Sequence, residues 1–246
     1  MTDLRAVMHV HSDWSYDGRW RLAEIARLYG RFGVRVVLMT EHDTGFDPQR
    51  FPDYRRACAE ASSSGCRLIP GIEYSSPDNA VHILTWGLDS FLAEHRPVIE
   101  TLGEVRDRGG VAVFAHPVRR DAWKRFSSGW SELLAGIEVW NRKSDGIAPG
   151  RQAADLVASA GVPATVGQDF HTRRQLYPLT MHLETRGSSE TNVVDAIRTG
   201  RMKPMAFGRP LYDARRNLSR RPHDILERAR AGVRDLRDAL RRNRRS

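Results

Sequence analysis

Short apolar, β-branched runs alternate along the chain with longer stretches whose apolar residues recur every three or four positions. The first pattern fits buried strands, the second amphipathic helices. Read this way, strands are predicted over 5–11 ("RAVMHVH"), 34–40, 66–75, 80–86, 110–116, 136–140 and 163–169. Helices are predicted near 20–32, 52–64, 90–108, 149–160 and 190–199, several ending at a glycine, as at Gly33, Gly109, Gly161 and Gly200. Strands alternating with helices predict an α/β fold with a mostly parallel sheet, and seven such units predict a barrel. From Pro222 onward Leu226, Ala229, Val233, Leu236 and Leu240 form one apolar seam, which predicts a final helix.

Composition refines this picture in two places. At 246 residues and 40% hydrophobic, the chain can build one large core. The net charge of +9 is unevenly placed: residues 201–246 hold 15 Lys+Arg against 5 Asp+Glu, so the remainder is close to neutral. The expected division is therefore a barrel over 1–210 and a basic helical tail over 211–246. Such a tail is most simply a helix docked on the body with a solvated charged face; nucleic-acid binding through it is the alternative. Cys58 and Cys66 fit neither a CxxC pair nor a disulfide framework and read as reduced thiols of a cytoplasmic protein. The longest apolar runs are too short for a transmembrane segment, and no charged-then-apolar leader precedes the first strand.

Barrels of this kind carry their chemistry at the C-terminal ends of strands, and that is where most histidines fall. His9 and His11 close the first predicted strand, on one face if it alternates regularly. Glu41, His42 and Asp43 follow the second in "TEHDTG", and Glu73 ends the third in "GIEYS". His116 ends the fifth in "FAHP", and Asp169 and His171 end the seventh in "GQDFHT". His82 lies inside a strand, but the turn residues "SSPDN" before it would fold that strand back beside Glu73. Six of the nine histidines then share one ring, with His95, His182 and His223 outside it. So many imidazoles with carboxylates would cost heavily in desolvation and like-charge repulsion unless divalent cations bound them together.

The ordered set "HVHSDWSYDG", "TEHDT", "GIEYS", "VHILTWG", "FAHP", "IEVWN" and "GQDFH" resembles the PHP (polymerase and histidinol phosphatase) family of metal-dependent phosphoesterases, over roughly residues 5 to 172. The resemblance implies a distorted (β/α)7 TIM-like barrel and a trinuclear site of Zn, Mn or Fe. By position, His9, His11, Glu73 and Asp169 would hold the first metal. Glu73 would bridge to a second, completed by His82 and His116, while Asp17, His42 and His171 would hold a third. Asp17 stands where certain relatives use histidine, and Glu41 replaces the more usual aspartate; Glu41 is expected to support the ligands without being one.

The implied activity is hydrolysis of a phosphomonoester or phosphodiester by a metal-bridging hydroxide, with no covalent intermediate. Asp43 is a candidate acid or base. Arg119, Arg120 and Arg173 could clamp a phosphate, and Asn141 could contact the substrate, a phosphorylated metabolite, a nucleotide or an oligonucleotide end. Two rival readings stand beside this one. A metal-dependent amidohydrolase acting on C–N or lactone bonds also uses a histidine-rich barrel mouth, although Lys124 and Lys143 do not end strands as a metal-bridging lysine would. A non-catalytic module binding nucleic acid or a partner through the tail is the other.

Overall fold

The computed structural model describes residues 1–63 and 65–212, together with Arg228, Ala231 and Gly232. The predicted final helix lies outside the described residues except at those last three positions, which are helical.

Two six-stranded sheets make up the body. The first is ordered β12-β11-β10-β1-β2-β4, built from β1 (Thr2–Val10), β2 (Val36–Met39), β4 (Arg67–Ile69), β10 (Leu179–Thr185), β11 (Met202–Ala206) and β12 (Arg209–Pro210). The second is ordered β3-β5-β6-β7-β8-β9, built from β3 (Glu41–His42), β5 (Gly71–Ser75), β6 (His82–Trp86), β7 (Val111–Ala115), β8 (Gly136–Asn141) and β9 (Ala164–Gly167). Helices α1 (Leu22–Arg31), α2 (Phe51–Ala61), α3 (Val98–Asp107), α5 (Arg151–Ala160) and α6 (Glu190–Arg198) fall on the five predicted stretches, and the short α4 (Arg142–Asp145) follows β8 directly.

The seven-stranded barrel expected from the sequence rhythm is thus not one closed ladder. Two of its strands are each cut in two. Pro70, between β4 and β5, has no N–H to give a ladder. Thr40, between β2 and β3, donates its N–H back to Val10 O at 2.9 Å. At the other seam β1 runs beside the chain after β9: Gln168 N donates to Met8 O (3.0 Å), Phe170 N to His9 O (3.1 Å) and His11 N to Phe170 O (2.9 Å). The turn "SSPDN" does reverse the chain, and β6 lies antiparallel to β5 with His82 opposite Ser75. Strands β10 and β11 are additions that the apolar pattern does not predict. They pair antiparallel outside β1, leave His182 and Glu184 only half-buried, and include Pro204.

Every residue of β5, β6, β7 and β8 is buried, because helices and the opposite sheet cover both faces. Trp86 fills the space beneath β2, its indole N–H donating to Met39 O at 2.7 Å. Gly71 lets the chain pass this point: a Cβ there would lie 2.4 Å from Thr85 O and 2.5 Å from Met39 O, both backbone atoms that cannot swing away. Gly71→Ala is expected to destabilise the protein by roughly 1–3 kcal/mol through overpacking. Urea unfolding should show a lower midpoint with an unchanged slope.

Candidate metal centre

His9 and His11 do come together, with ring centroids 5.2 Å apart, but not by regular alternation. The β1–β2 register slips between Met8 and Val10, and His9 sits at φ 64°. His11 lies beyond the strand end. A bulge of this kind re-aims a side chain at the rim of a sheet. Asp169 (φ 49°) and His116 (φ 29°) share the left-handed conformation, which costs a non-glycine residue about 1–3 kcal/mol and is held only where surrounding structure enforces it.

These bends point the side chains at Glu73. Its Oε1 lies 2.6 Å from His82 Nδ1 and 2.9 Å from His116 Nε2. Its Oε2 lies 3.2 Å from His42 Nδ1, 3.3 Å from His11 Nε2 and 3.4 Å from His9 Nε2. Asp169 Oδ1 is 3.8 Å from His9 and His11 and 3.3 Å from His171 Nδ1. Asp17 closes the outer side, 3.4 Å from His42 Nε2 and 3.1 Å from His171 Nε2. The structure therefore brings all nine expected ligand residues into one cluster, buried except at the half-buried Asp17.

Within it, donor atoms fall into three overlapping groups close enough to hold a cation: His9, His11 and Asp169; His9, Glu73 and His116; and His11, His42 and His171. His9 and His11 each belong to two groups, which the sequence does not indicate. Six buried atoms here lack a hydrogen-bond partner among the described residues: His9 Nε2, His11 Nε2, Asp17 Oδ1, His42 Nε2, Glu73 Oε2 and His116 Nδ1. Each such orphan costs about 1–3 kcal/mol. Cation ligation would satisfy orphan donors within the three groups, and the mixed imidazole–carboxylate donor set suits Zn, Mn or Fe. The donor set fits divalent metal binding.

Charge is distributed accordingly. Burial opposes ionisation of Glu73, yet His9, His82 and His42 hold its carboxyl well below the usual range. Burial and the positive charge of His42 and His171 push His11 well below an ordinary imidazole, leaving it in the neutral form that ligates metals. Burial also opposes the charge of Asp17, and the imidazoles of His171 and His42 beside it overcome that and lower its pKa.

A layer of polar groups fixes these side chains. His9 Nδ1 is 2.9 Å from Glu138 Oε1, and Glu138 Oε2 accepts from His116 N (2.9 Å) and Asn141 Nδ2 (3.0 Å). Asn141 is fully buried, and its Oδ1 caps α4 by accepting from Lys143 N and Ser144 N, so it positions Glu138 and makes no contact with the cleft. Glu41 touches no imidazole. It accepts from Ser12 Oγ (2.6 Å) and Ser15 Oγ (2.5 Å), and Ser15 Oγ in turn accepts from His42 N (3.0 Å). Asp43 is likewise buried and engaged, accepting from Ser75 N (2.9 Å), Ser75 Oγ (3.1 Å) and Thr44 N (2.7 Å).

A cleft of about 290 Å³ opens over the cluster, with Arg119 and Lys143 among its walls. Arg119 Nη1 lies 3.1 Å from His82 Nε2 and donates to Asn79 O at 3.0 Å. Arg120 donates to the same carbonyl from an exposed position outside the cleft lining. Arg173 is not brought to the cleft; its guanidinium stacks over Trp20 at 4.9 Å. Lys143 is the residue that sequence reasoning missed. Helix α4 carries its Nζ to within 3.3 Å of Asp169 Oδ1, a placement that spacing alone does not signal. Tyr16, 73% exposed, stacks on His42 at the lip.

No family model matches the chain, and no curated protein matches it. Among solved structures, a two-domain protein from Bacteroides vulgatus that contains a predicted PHP-like metal-dependent phosphoesterase matches with a TM-score of 0.63 and 17% identity, over 83% of this chain and 65% of that one. The fold is PHP-like. PsfC from Pseudomonas syringae matches at TM-score 0.60 and 17% identity, covering 84% of this chain and 92% of its own. An amidohydrolase from Chromobacterium violaceum matches at TM-score 0.50 and 18% identity, covering 68% of this chain and 88% of its own. The PHP-like fold thus accounts for most of the chain, which in turn spans 65% of the length of the Bacteroides protein.

Metal-stripped protein should gain stability on addition of Zn²⁺ or Mn²⁺, by about 2.7 kcal/mol when free metal is 100 times its dissociation constant. Glu73→Gln should abolish most of that gain. Thermal melts with and without metal read both, and a wild-type melting point indifferent to metal would count against the centre.

Proposed function

We propose that the chain is a metal-dependent phosphoesterase, hydrolysing a phosphomonoester or phosphodiester of a small metabolite, nucleotide or oligonucleotide end. One observation supports this reading: six imidazoles and three carboxylates converge in a PHP-like fold, and four of the imidazoles keep a ring nitrogen without a hydrogen-bond partner among the described residues. His9, His11, Asp17, His42, Glu73, His82, His116, Asp169 and His171 would hold three divalent cations. Such cations supply a water of lowered pKa and offset charge on the phosphoryl oxygens.

The protein's own groups perform the remaining work. Glu138 fixes the tautomer and tilt of His9, leaving Nε2 aimed at Glu73 and Asp169. Arg119 and Lys143 place two fixed positive charges in the cleft, where phosphoryl oxygens can be gripped and oriented. Ser75 Oγ in the cleft donates to Asp43, and Cys58 and Cys66 are both buried, which supports direct attack by water.

A second reading, an amidohydrolase-type C–N or lactone hydrolase, is favoured by the likeness to the Chromobacterium violaceum protein and by Lys143 beside Asp169. Lys124 plays no part in it, being paired with Asp121 at the surface. Phosphate release from phosphomonoester and phosphodiester panels, set against amide and lactone panels, separates the two. Turnover of phosphoesters that vanishes with chelator and returns with metal is the expected result. Glu138→Gln should lower metal affinity or activity by about 10–100-fold, since a glutamine keeps one acceptor oxygen where His9 on one side and His116 N and Asn141 on the other use two. In ¹⁸O-water, the first turnover with limiting substrate should place label in the released phosphate.

A further inference from the structure

Some arginines on this body are paired with carboxylates and others are not. Arg55 pairs with Glu190, Arg56 with Asp53, Arg96 with Glu100 and Arg125 with Asp78. Arg19, Arg27, Arg31 and Arg173 have no carboxylate partner among the described residues, and all four line one groove of about 350 Å³ along α1. Glu24 is the single acid in its wall, and its carboxylate is turned to the Arg21 N–H at the start of the helix. Arg27 and Arg31 stand four residues apart on one helix, where like charges repel. Arg31 gains from the helix C-terminus, but Arg27 has no such compensation.

The groove has a built floor. Trp20 lies half-buried beneath the Arg173 guanidinium, and its ring meets Phe170 edge-on at 5.7 Å. It also has a defined start. Arg19 and Arg173 each lie two residues beyond Asp17 and His171, whose side chains are 3.1 Å apart on the outer side of the metal centre. Two residues of chain span at most about 7 Å. The groove therefore leads away from the rim of the cleft, and Tyr16 stands exposed at that rim.

We propose that this arginine groove is a second anion-binding site, which takes the phosphodiester backbone of a single-stranded oligonucleotide whose end enters the cleft. This rests on the phosphoesterase reading for the end that reacts, but the groove's occupancy is measured independently. A basic groove that tracks a backbone, with aromatic rings beside it for bases to stack on, is the general means of holding single strands. A phosphate bound at the metal centre leaves the next phosphates of a strand over Arg19 and Arg173, and those beyond over Arg27 and Arg31. Small monoesters reach the cleft without touching the groove.

The test compares the full-length wild type with Arg27→Gln/Arg31→Gln, so that the basic tail is common to both. Anisotropy of a short 5′-phosphorylated, 3′-fluorescent single strand should show affinity weakened about tenfold in the variant, and a slope of log K against log salt smaller by about 1.4, at 0.7 per phosphate contact. Arg27→Lys/Arg31→Lys, which keeps both charges, should restore binding. Equal affinity and equal slope in wild type and glutamine variant would overturn the groove assignment. Inorganic tripolyphosphate competing as well as the strand would overturn the choice of ligand. Turnover of para-nitrophenyl phosphate should be the same in wild type and variant. If the wild type does not hydrolyse it or any phosphoester, the activity reading fails while the anisotropy result still decides the groove.

Discussion

A carboxylate buried to 1% exposure among five imidazoles is the arrangement on which the rest of this structure depends. Taking one carboxylate out of water costs several kcal/mol even after relaxation. Glu73 recovers that cost only because His9, His42 and His82 stand within ion-pair reach. The imidazoles cannot all be protonated in such a space without repelling one another, and His11 is accordingly held neutral. Imidazoles grouped around a charged carboxylate form a ligand set, and the unsatisfied nitrogens among them mark where a shared cation would bind.

Holding the set together shapes the backbone around it. Three of the converging residues, His9, His116 and Asp169, occupy conformations that L-residues avoid. His116 and Asp169 lie just past strand ends, and His9 lies at the register slip within β1. At these points the regular ladder is given up: β1 slips register at His9, and β8 slips between Glu138 and Trp140, beside the partner of that same histidine. Gly167 belongs to this compromise, since a Cβ there would sit 1.9 Å from Glu138 Oε1. Stability is supplied elsewhere, by the fully buried β5 to β8 and the aromatic packing of Phe46, Phe51, Tyr54 and Phe91.

This division explains what could be read from the residues alone. Helices and the inner strands follow from apolar periodicity, because burial imposes it. The convergence of nine histidines and acids in one cluster follows from their placement at or near strand ends. What periodicity does not encode is where the hydrogen-bond ladder breaks, as at Thr40 and Pro70, or that β10 and β11 extend the outer edge of β1 with faces only partly buried. Residue type misleads in a different way. Asp43 and Asn141 look like chemistry beside a ligand, but both are fully buried and engaged in hydrogen bonds with neighbouring backbone and side chains. Lys143 looks like a surface lysine, yet the four-residue turn of α4 returns it over Asp169.

Arg173 shows how the two scales join. Two residues from His171, it has the sequence position of a phosphate clamp, but the three-residue turn after Thr172 carries it outward onto Trp20. Its charge then adds to that of Arg19, Arg27 and Arg31 rather than to the cleft. The cleft itself is left with Arg119 and Lys143, two cations on opposite flanks of a centre that would already be rich in positive charge once metals bind. Dividing the arginines in this way keeps the reacting centre from being overcrowded with charge and spreads attraction along the path by which a polyanion would approach it.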